Sequence, residues 1–176
     1  MTEKIIAFFS GLPRELYVFV ISLLPIVELR GAIPVGAAIG LPFYVNYPVA
    51  VLGNLLPVPF ILAFIPFVLD FMVKHGIFPK LVNWIRAKAE KNKDKIIKGD
   101  DEIGTARLSG PVFLALMLFV AIPLPGTGAW TGSLVASLFG LPKRSSFLAV
   151  TLGVLISGVI MCLASYGVLG FLSFLI

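Results

Sequence analysis

Two charged residues stand where few are tolerated. Glu28 and Arg30 lie two apart in PIVELRGAIPVGAAIGLP, residues 25–42, and no other Asp, Glu, Lys or Arg follows before Asp70. A charge at membrane depth costs enough free energy to be a functional candidate by default. Burial favours the neutral form of a carboxyl, so Glu28 is a candidate proton-coupling group. Arg30 offers a fork of N–H donors to an anionic headgroup. The structural alternative is an ion pair pinning a hairpin tip. On a regular helix, residues two apart point in different directions and need not meet.

A second constellation is uncharged. In IPLPGTGAWTGSLVASLFGLP, residues 122–142, Pro123, Pro125, Gly126, Thr127 and Gly128 interrupt any regular helix, and Trp130 follows. A broken helix exposes backbone N–H groups that bind anions, and Thr127 adds a hydroxyl. The plainer reading is that Pro and Gly make a turn while Trp130 packs. Pro34 belongs to the first charged stretch. Asn54 suits a hydrogen bond to a neighbouring helix. Asp70 and Lys74, four apart, fit either an interfacial pair or a pathway group.

Catalytic arrangements are not legible. An aspartic intramembrane protease needs two membrane Asp residues, and Asp70 alone lies near a span. A zinc protease needs a His cluster, and His75 is the single His. Cys162 is the single Cys, which excludes an intrachain disulfide or a thiolate metal site. No nucleophile–base pair is visible, so neither enzyme chemistry nor a metal is expected, and nothing calls for a cofactor.

The surroundings of these residues are those of a membrane protein. The chain has 176 residues, 59% hydrophobic and 13% charged, with mean hydropathy +1.03. Residues 31–69, 108–142 and 145–176 contain no Asp, Glu, Lys or Arg. The net charge of +5 does not point to nucleic acid. Nine of the 14 Lys and Arg residues fall between Lys74 and Arg107 beside five acids, so this segment carries +4 (nine minus five). A basic loop between apolar spans is a cytoplasmic loop near anionic headgroups. Residues 1–12 lack the basic start and cleavage pattern of a signal peptide and suggest an interfacial helix.

The expected fold is all-α and polytopic. Pro13 opens an apolar helix of Arg14 to Leu24, and Pro25 ends it. With the Pro/Gly-rich charged link that follows, it forms a re-entrant hairpin over about 14–41. A spanning helix kinked at Pro57, Pro59 and Pro66 covers about 46–73. Residues 74–107 carry Ile77, Leu81, Trp84, Ile85 and Ala89 at helical spacing, a cytoplasmic amphipathic helix, followed by the solvated link KNKDKIIKGDDE. A second hairpin covers about 108–141, Lys143 to Ser146 form a polar break, and a last span covers about 146–170. The rival reading makes 108–122 a full span, for which it is short.

The halves align without gaps at an offset of 100: Leu24-Pro25 with Leu124-Pro125, Gly40-Leu41-Pro42 with Gly140-Leu141-Pro142, Leu52-Gly53 with Leu152-Gly153. The order of features recurs as well. This defines a first repeat of residues 1–73 and a second of 108–176. A hairpin returns to its own side and one span changes side, so the second repeat is inverted. Inversion also keeps Lys143 and Arg144 cytoplasmic.

ELRGAIPVGAAIG, residues 28–40, and IPLPGTGAWTGSLVASLFG, residues 122–140, resemble the two signature stretches of the small multidrug export family of bacterial and archaeal membrane proteins. That family in turn resembles the DedA/VTT group, whose members pair two inverted re-entrant hairpins and include translocators of lipids such as polyprenyl phosphates. DedA-like second hairpins carry Arg, whereas residues 123–140 here carry no charge. The resemblance implies a multi-pass transporter of a prokaryotic inner membrane that moves a lipid or lipid-linked anion, with lipophilic-cation export as the alternative. Its expected partners are the bilayer, a lipid or small-molecule substrate and protons, with a homodimer as candidate assembly.

Overall fold

The computed structural model describes residues 13–76, 83, 84, 87, 97, 98 and 107–175, with side chains described as far as Gly167. The expected interfacial helix at 1–12 and most of the amphipathic helix at 77–89 lie outside these residues. Of the latter, Asn83, Trp84 and Ala87 are helical and exposed.

The elements in chain order are α1 (Arg14–Leu23), α2 (Glu28–Ala38), α3 (Phe43–Leu55), α4 (Pro57–Lys74), β1 (Ile97–Lys98), β2 (Arg107–Leu108), α5 (Gly110–Ala121), α6 (Ala129–Leu138) and α7 (Lys143–Leu175). The fold is mostly helical. Among the described residues, the addition to an all-α expectation is the antiparallel pair β1–β2, with Ile97 opposite Leu108 and Lys98 opposite Arg107. It is two residues long because Ser109 and Pro111 turn the chain into α5, where Pro at the second helical position cannot donate to a ladder.

Two compact units result: Met1–Leu56 with Leu155–Ile176, and Pro57–Val154. In the first, α2 folds back on α1, and α3 packs on both. In the second, α6 packs on α5 and on α4. Helix α7 contributes its C-terminal part to the first unit and its N-terminal part to the second. Helix α5 has 12 residues. At 1.5 Å per residue that is roughly 18 Å, against the ~30 Å of a bilayer core.

Two Gly-Leu-Pro triplets shape the units alike. Helix α2 ends with Gly40 at φ 79°, its N–H on Ala37 O at 3.1 Å, and Leu41 N–H on Gly36 O at 2.9 Å. One hundred residues on, Gly140 has φ 62°, its N–H lies 3.1 Å from Ser137 O, and Leu141 N–H lies 2.9 Å from Ala136 O. This is the left-handed glycine cap, which satisfies the last carbonyls of a helix. Pro42 and Pro142 then start the next helices, and Asn46 N–H and Ser146 N–H reach back to their carbonyls, both at 3.0 Å. Burial repeats too: Ala32, Ile33, Gly36 and Ala37 on α2 correspond to Gly132, Ser133, Ala136 and Ser137 on α6, all buried.

Three boundaries differ from expectation. The link after α1 is only residues 24–27. ELRGAIPVGAA is helix, and Pro34 sits inside it. Pro48 is likewise inside α3, so the long helix starts at Phe43 and runs to Lys74. Lys143 to Ser146 are not a break but the first turn of α7, because Pro142 supplies the capping backbone.

The long helices Phe43–Lys74 and Lys143–Gly167 are apolar and long enough to cross a bilayer. On α4, Phe60, Phe64, Phe67 and Phe71 are exposed at helical spacing, Phe60 by 67%. On α7, Leu148, Leu152, Ile156, Val159 and Leu163 repeat this pattern. Large apolar side chains presented outward along a helix belong against lipid. The inward faces are small. A Cβ on Gly53 would collide with Ser22 Oγ and sit 2.6 Å from Phe19 O, and one on Gly153 would sit 2.6 Å from Met117 O. Such close approach is how helices associate where water exerts no hydrophobic drive between them.

Gly53→Ala and Gly153→Ala are each expected to destabilise the chain by about 1–3 kcal/mol through overpacking. Gly110→Ala, with nothing within 4 Å of the added methyl, is expected to be neutral. Thermal unfolding in detergent measures all three.

Candidate functional site

Glu28 is buried, 2% exposed, in an apolar unit. Its carboxylate accepts a hydrogen bond from Arg30, Nη2 to Oε2 at 2.9 Å, with the Arg30 side chain 18% exposed. Regular helical spacing does not bring i and i+2 together, and the structure shows what does. Glu28 has φ 53°, the left-handed region, while its N–H is held by Leu24 O at 2.9 Å. The first residue of α2 is thereby turned off the helical path, so its side chain meets Arg30. The ion pair is the structural alternative that the sequence left open, and this one dihedral is what allows it. For a side chain with a Cβ, that conformation costs roughly 1 kcal/mol or more.

The corresponding residue of the second unit is Gly128, also at positive φ, 141°. The local path into the helix requires an unusual dihedral in both units. One unit meets it with the residue best suited to it, the other with a glutamate. Gly31 tightens the same turn, since a Cβ there would collide with Val27. Pro34, a turn later in α2, has no N–H to donate to the Arg30 carbonyl.

Asn54 is 1% exposed and its Oδ1 has no hydrogen-bond partner among the described residues. The cross-helix bond expected of it is made instead by Asn46, which the sequence reading passed over. Asn46 Nδ2 donates to Ile33 O and to the Tyr166 hydroxyl, both at 2.8 Å, and Tyr166 donates to Leu41 O at 2.6 Å. One amide and one phenol thus tie α2, the turn after it, α3 and α7 together. The available signal was spacing: Asn46, Ala50 and Asn54 share one buried face of α3. Tyr47 adds a bond to Leu155 O at 3.1 Å.

In the second unit the PLPGTG link holds itself. Thr127 Oγ1 lies 2.7 Å from Ile122 O, 2.9 Å from Leu124 O and 3.3 Å from Leu124 N. The hydroxyl expected to serve an anion is engaged in closing the turn. Pro125 and Gly126 are exposed, Pro123 and Trp130 half-buried, and Gly128 buried. Ser133 and Ser137 bond back along α6, to Ala129 O at 2.6 Å and Ser133 O at 2.8 Å. Asp70 is exposed on α4. The structure therefore gathers Glu28, Arg30, Pro34 and Asn54 in the first unit, and places Asp70 and residues 123–130 in the second.

Long apolar helices characterise a membrane protein, and the described residues place a buried charge pair in its first unit. Residues 28–160 match the family described as "Putative small multi-drug export protein", and the chain belongs to that family. The match begins at Glu28 itself. No curated protein and no solved structure matches the chain.

At about pH 8, Arg30→Gln is expected to cost about 3 kcal/mol, more than Glu28→Gln, because it takes an ion-pair partner from the more deeply buried group. The double variant should recover much of the loss. Tyr166→Phe, which removes two hydrogen bonds, is expected to cost about 1–3 kcal/mol. Equal losses for both single charge variants would contradict the burial asymmetry.

Proposed function

We propose that this chain is a proton-coupled exporter of amphipathic small molecules in a prokaryotic cytoplasmic membrane, with Glu28 as the coupling residue. The observation that carries the reading is the buried, backbone-strained Glu28 paired with Arg30 inside an otherwise apolar helical unit. Strain and desolvation together are kept where they serve a site. Membership of the export family supports the same class of activity. On this reading the chain acts without catalytic chemistry or a cofactor.

In this proposal each short-helix pair is a re-entrant hairpin, and the two repeats lie inverted, with residues 74–107 and the α7 start on the cytoplasmic side. The recurrence of cap, burial and helix start one hundred residues apart supports the repeat. The lengths of α1, α2, α5 and α6, each 10 to 12 residues, support hairpin arms rather than spans. A homodimer is part of the same proposal. A second substrate reading, a lipid-linked anion as the DedA likeness implies, is favoured by Arg30.

The test uses proteoliposomes loaded separately with ethidium, carboxyfluorescein or a fluorescent polyprenyl phosphate. An imposed proton gradient is expected to accelerate movement of at least one probe over protein-free liposomes. Glu28→Gln should reduce that component to the protein-free level while the protein stays folded by circular dichroism. Gradient-driven movement that survives Glu28→Gln would refute the coupling role.

A further inference from the structure

A groove on the second unit ends among cations. It runs between α5 and α6, with Val112, Ala115, Leu116 and Phe119 on one wall, Val135 and Phe139 on the other, and a volume of about 310 Å³. We propose that this groove and the cations at its end hold one anionic phospholipid of the bilayer. Its acyl chain lies along the groove and its phosphate among Arg107, Lys143 and Arg144. The lipid is a resident ligand, not the exported substrate, so the proposal goes beyond the exporter reading.

The groove follows from how α5 and α6 meet. A Cβ on Gly132 would sit 2.6 Å from a Val120 methyl and 3.6 Å from one of Leu116, so the last turns of α5 close on the start of α6. Further along, Val135 and Phe139 face the groove, and Ala115 is too small to fill the space between the helices. From Val112 to Phe119 the wall is seven residues, roughly 10 Å of helix. Every lining side chain is apolar. A pocket for a water-soluble ligand carries a few placed polar groups that orient it, and this groove has none along its length. Leu114 and Leu118 beside it are exposed as well. Within a bilayer the material that meets such a surface is acyl chain.

The charge stands at one end of the groove. Leu141 closes it beside Phe139, and the chain continues through Pro142 to Lys143 and Arg144, both exposed. On the other wall, Val112 is in the first turn of α5. Just before that turn, Leu108 N–H donates to Ser145 Oγ at 3.0 Å, which brings the exposed Arg107 to the start of α7. Lys98 stands opposite Arg107 in the strand pair. Residues 108–176 contain no Asp or Glu. Asp70, the acid of this unit among the described residues, is on α4, which contributes nothing to the groove lining. The N-terminal ends of α5 and α7 add the positive ends of two helix dipoles. Ser109, which opens α5, is 5% exposed, and its hydroxyl has no partner among the described residues.

The two halves of the site select one ligand chemistry. A free phosphate would meet the cations and leave the groove uncovered. A zwitterionic lipid would fill the groove and bring no net charge to the cations, and a cationic amphipath would be repelled by them. An anionic phospholipid answers both. In the orientation proposed above, this end faces the cytoplasmic leaflet, whose anionic lipids attract basic clusters.

Native mass spectrometry of the full chain, stripped of lipid in detergent, tests the site without any gradient or transport. The probes are dioleoylphosphatidylglycerol, its dihexanoyl form and dioleoylphosphatidylcholine. The wild type is expected to retain one dioleoylphosphatidylglycerol per chain at concentrations where the other two do not bind. Arg107→Gln, Lys143→Gln and Arg144→Gln should each weaken it about fivefold, the worth of one cation near an anionic headgroup, and together should bring it to the level of phosphatidylcholine. Ala115→Phe and Val135→Phe fill the groove from opposite walls and keep the cations. Each should abolish the tight adduct while circular dichroism shows the fold retained. Equal affinity for the two dioleoyl lipids would overturn the proposal. Phosphatidylglycerol binding that survives the triple Gln variant, or that survives both Phe variants, would overturn it too, as would dihexanoyl lipid bound as tightly as dioleoyl. A dimer that the Phe variants dissociate, with no lipid adduct, would assign the groove to a second copy of the chain instead. Loss of export with the lipid pattern intact would fault the exporter reading alone.

Discussion

A carboxylate in an apolar helical unit has to be answered by something, and here the answer is two residues away. Taking the ion pair from an ionised Glu28 would cost about 3–5 kcal/mol, a large share of the stability of a small domain. Its pairing with Arg30 is therefore the constraint to which the local backbone yields. Glu28 adopts φ 53° to reach Arg30, Gly31 makes room for the turn, and the helix that follows tolerates Pro34. Around this, α1, α2 and α3 close with small side chains and the Asn46–Tyr166 tie, which fixes the far end of α2.

The second unit shows what the same framework looks like without that constraint. Its equivalent of Glu28 is Gly128, its link is closed by Thr127, and its polar groups are serines bonded along their own helix. Caps, burial and helix starts correspond, but the chemistry does not. The contrast separates what the fold requires, a positive dihedral before the second short helix, from what the first unit adds to it, a buried charge pair. It also explains why an anion site at PLPGTG, attractive from composition, loses ground once Thr127 is seen to be engaged.

Much of this was legible in the residues. Gly-Leu-Pro at two places marked the repeat, and the structure shows why it recurs: each glycine takes the left-handed dihedral that caps a helix. The charge-free stretches announced the long helices, and Glu28 with Arg30 announced the polar site. What could not be read was anything that depends on a single dihedral or on packing across helices. The pairing of Glu28 with Arg30 hangs on a left-handed residue that is not a glycine. Asn46 looked like Asn54 in sequence, and only the antiparallel run of α2 and α3 shows which one bonds across. Pro34 read as an interruption but sits within α2, as Pro48 sits within α3. The β1–β2 pair is too short to leave a periodicity.

The central claim is that the buried Glu28 takes up the coupling proton. Infrared difference spectroscopy of the membrane-embedded protein across a pH titration tests it most directly. The account predicts a carboxylic-acid band that appears on acidification and is absent in Glu28→Gln. A carboxylic-acid band that is unchanged in Glu28→Gln, or no such band in the wild type, would contradict it.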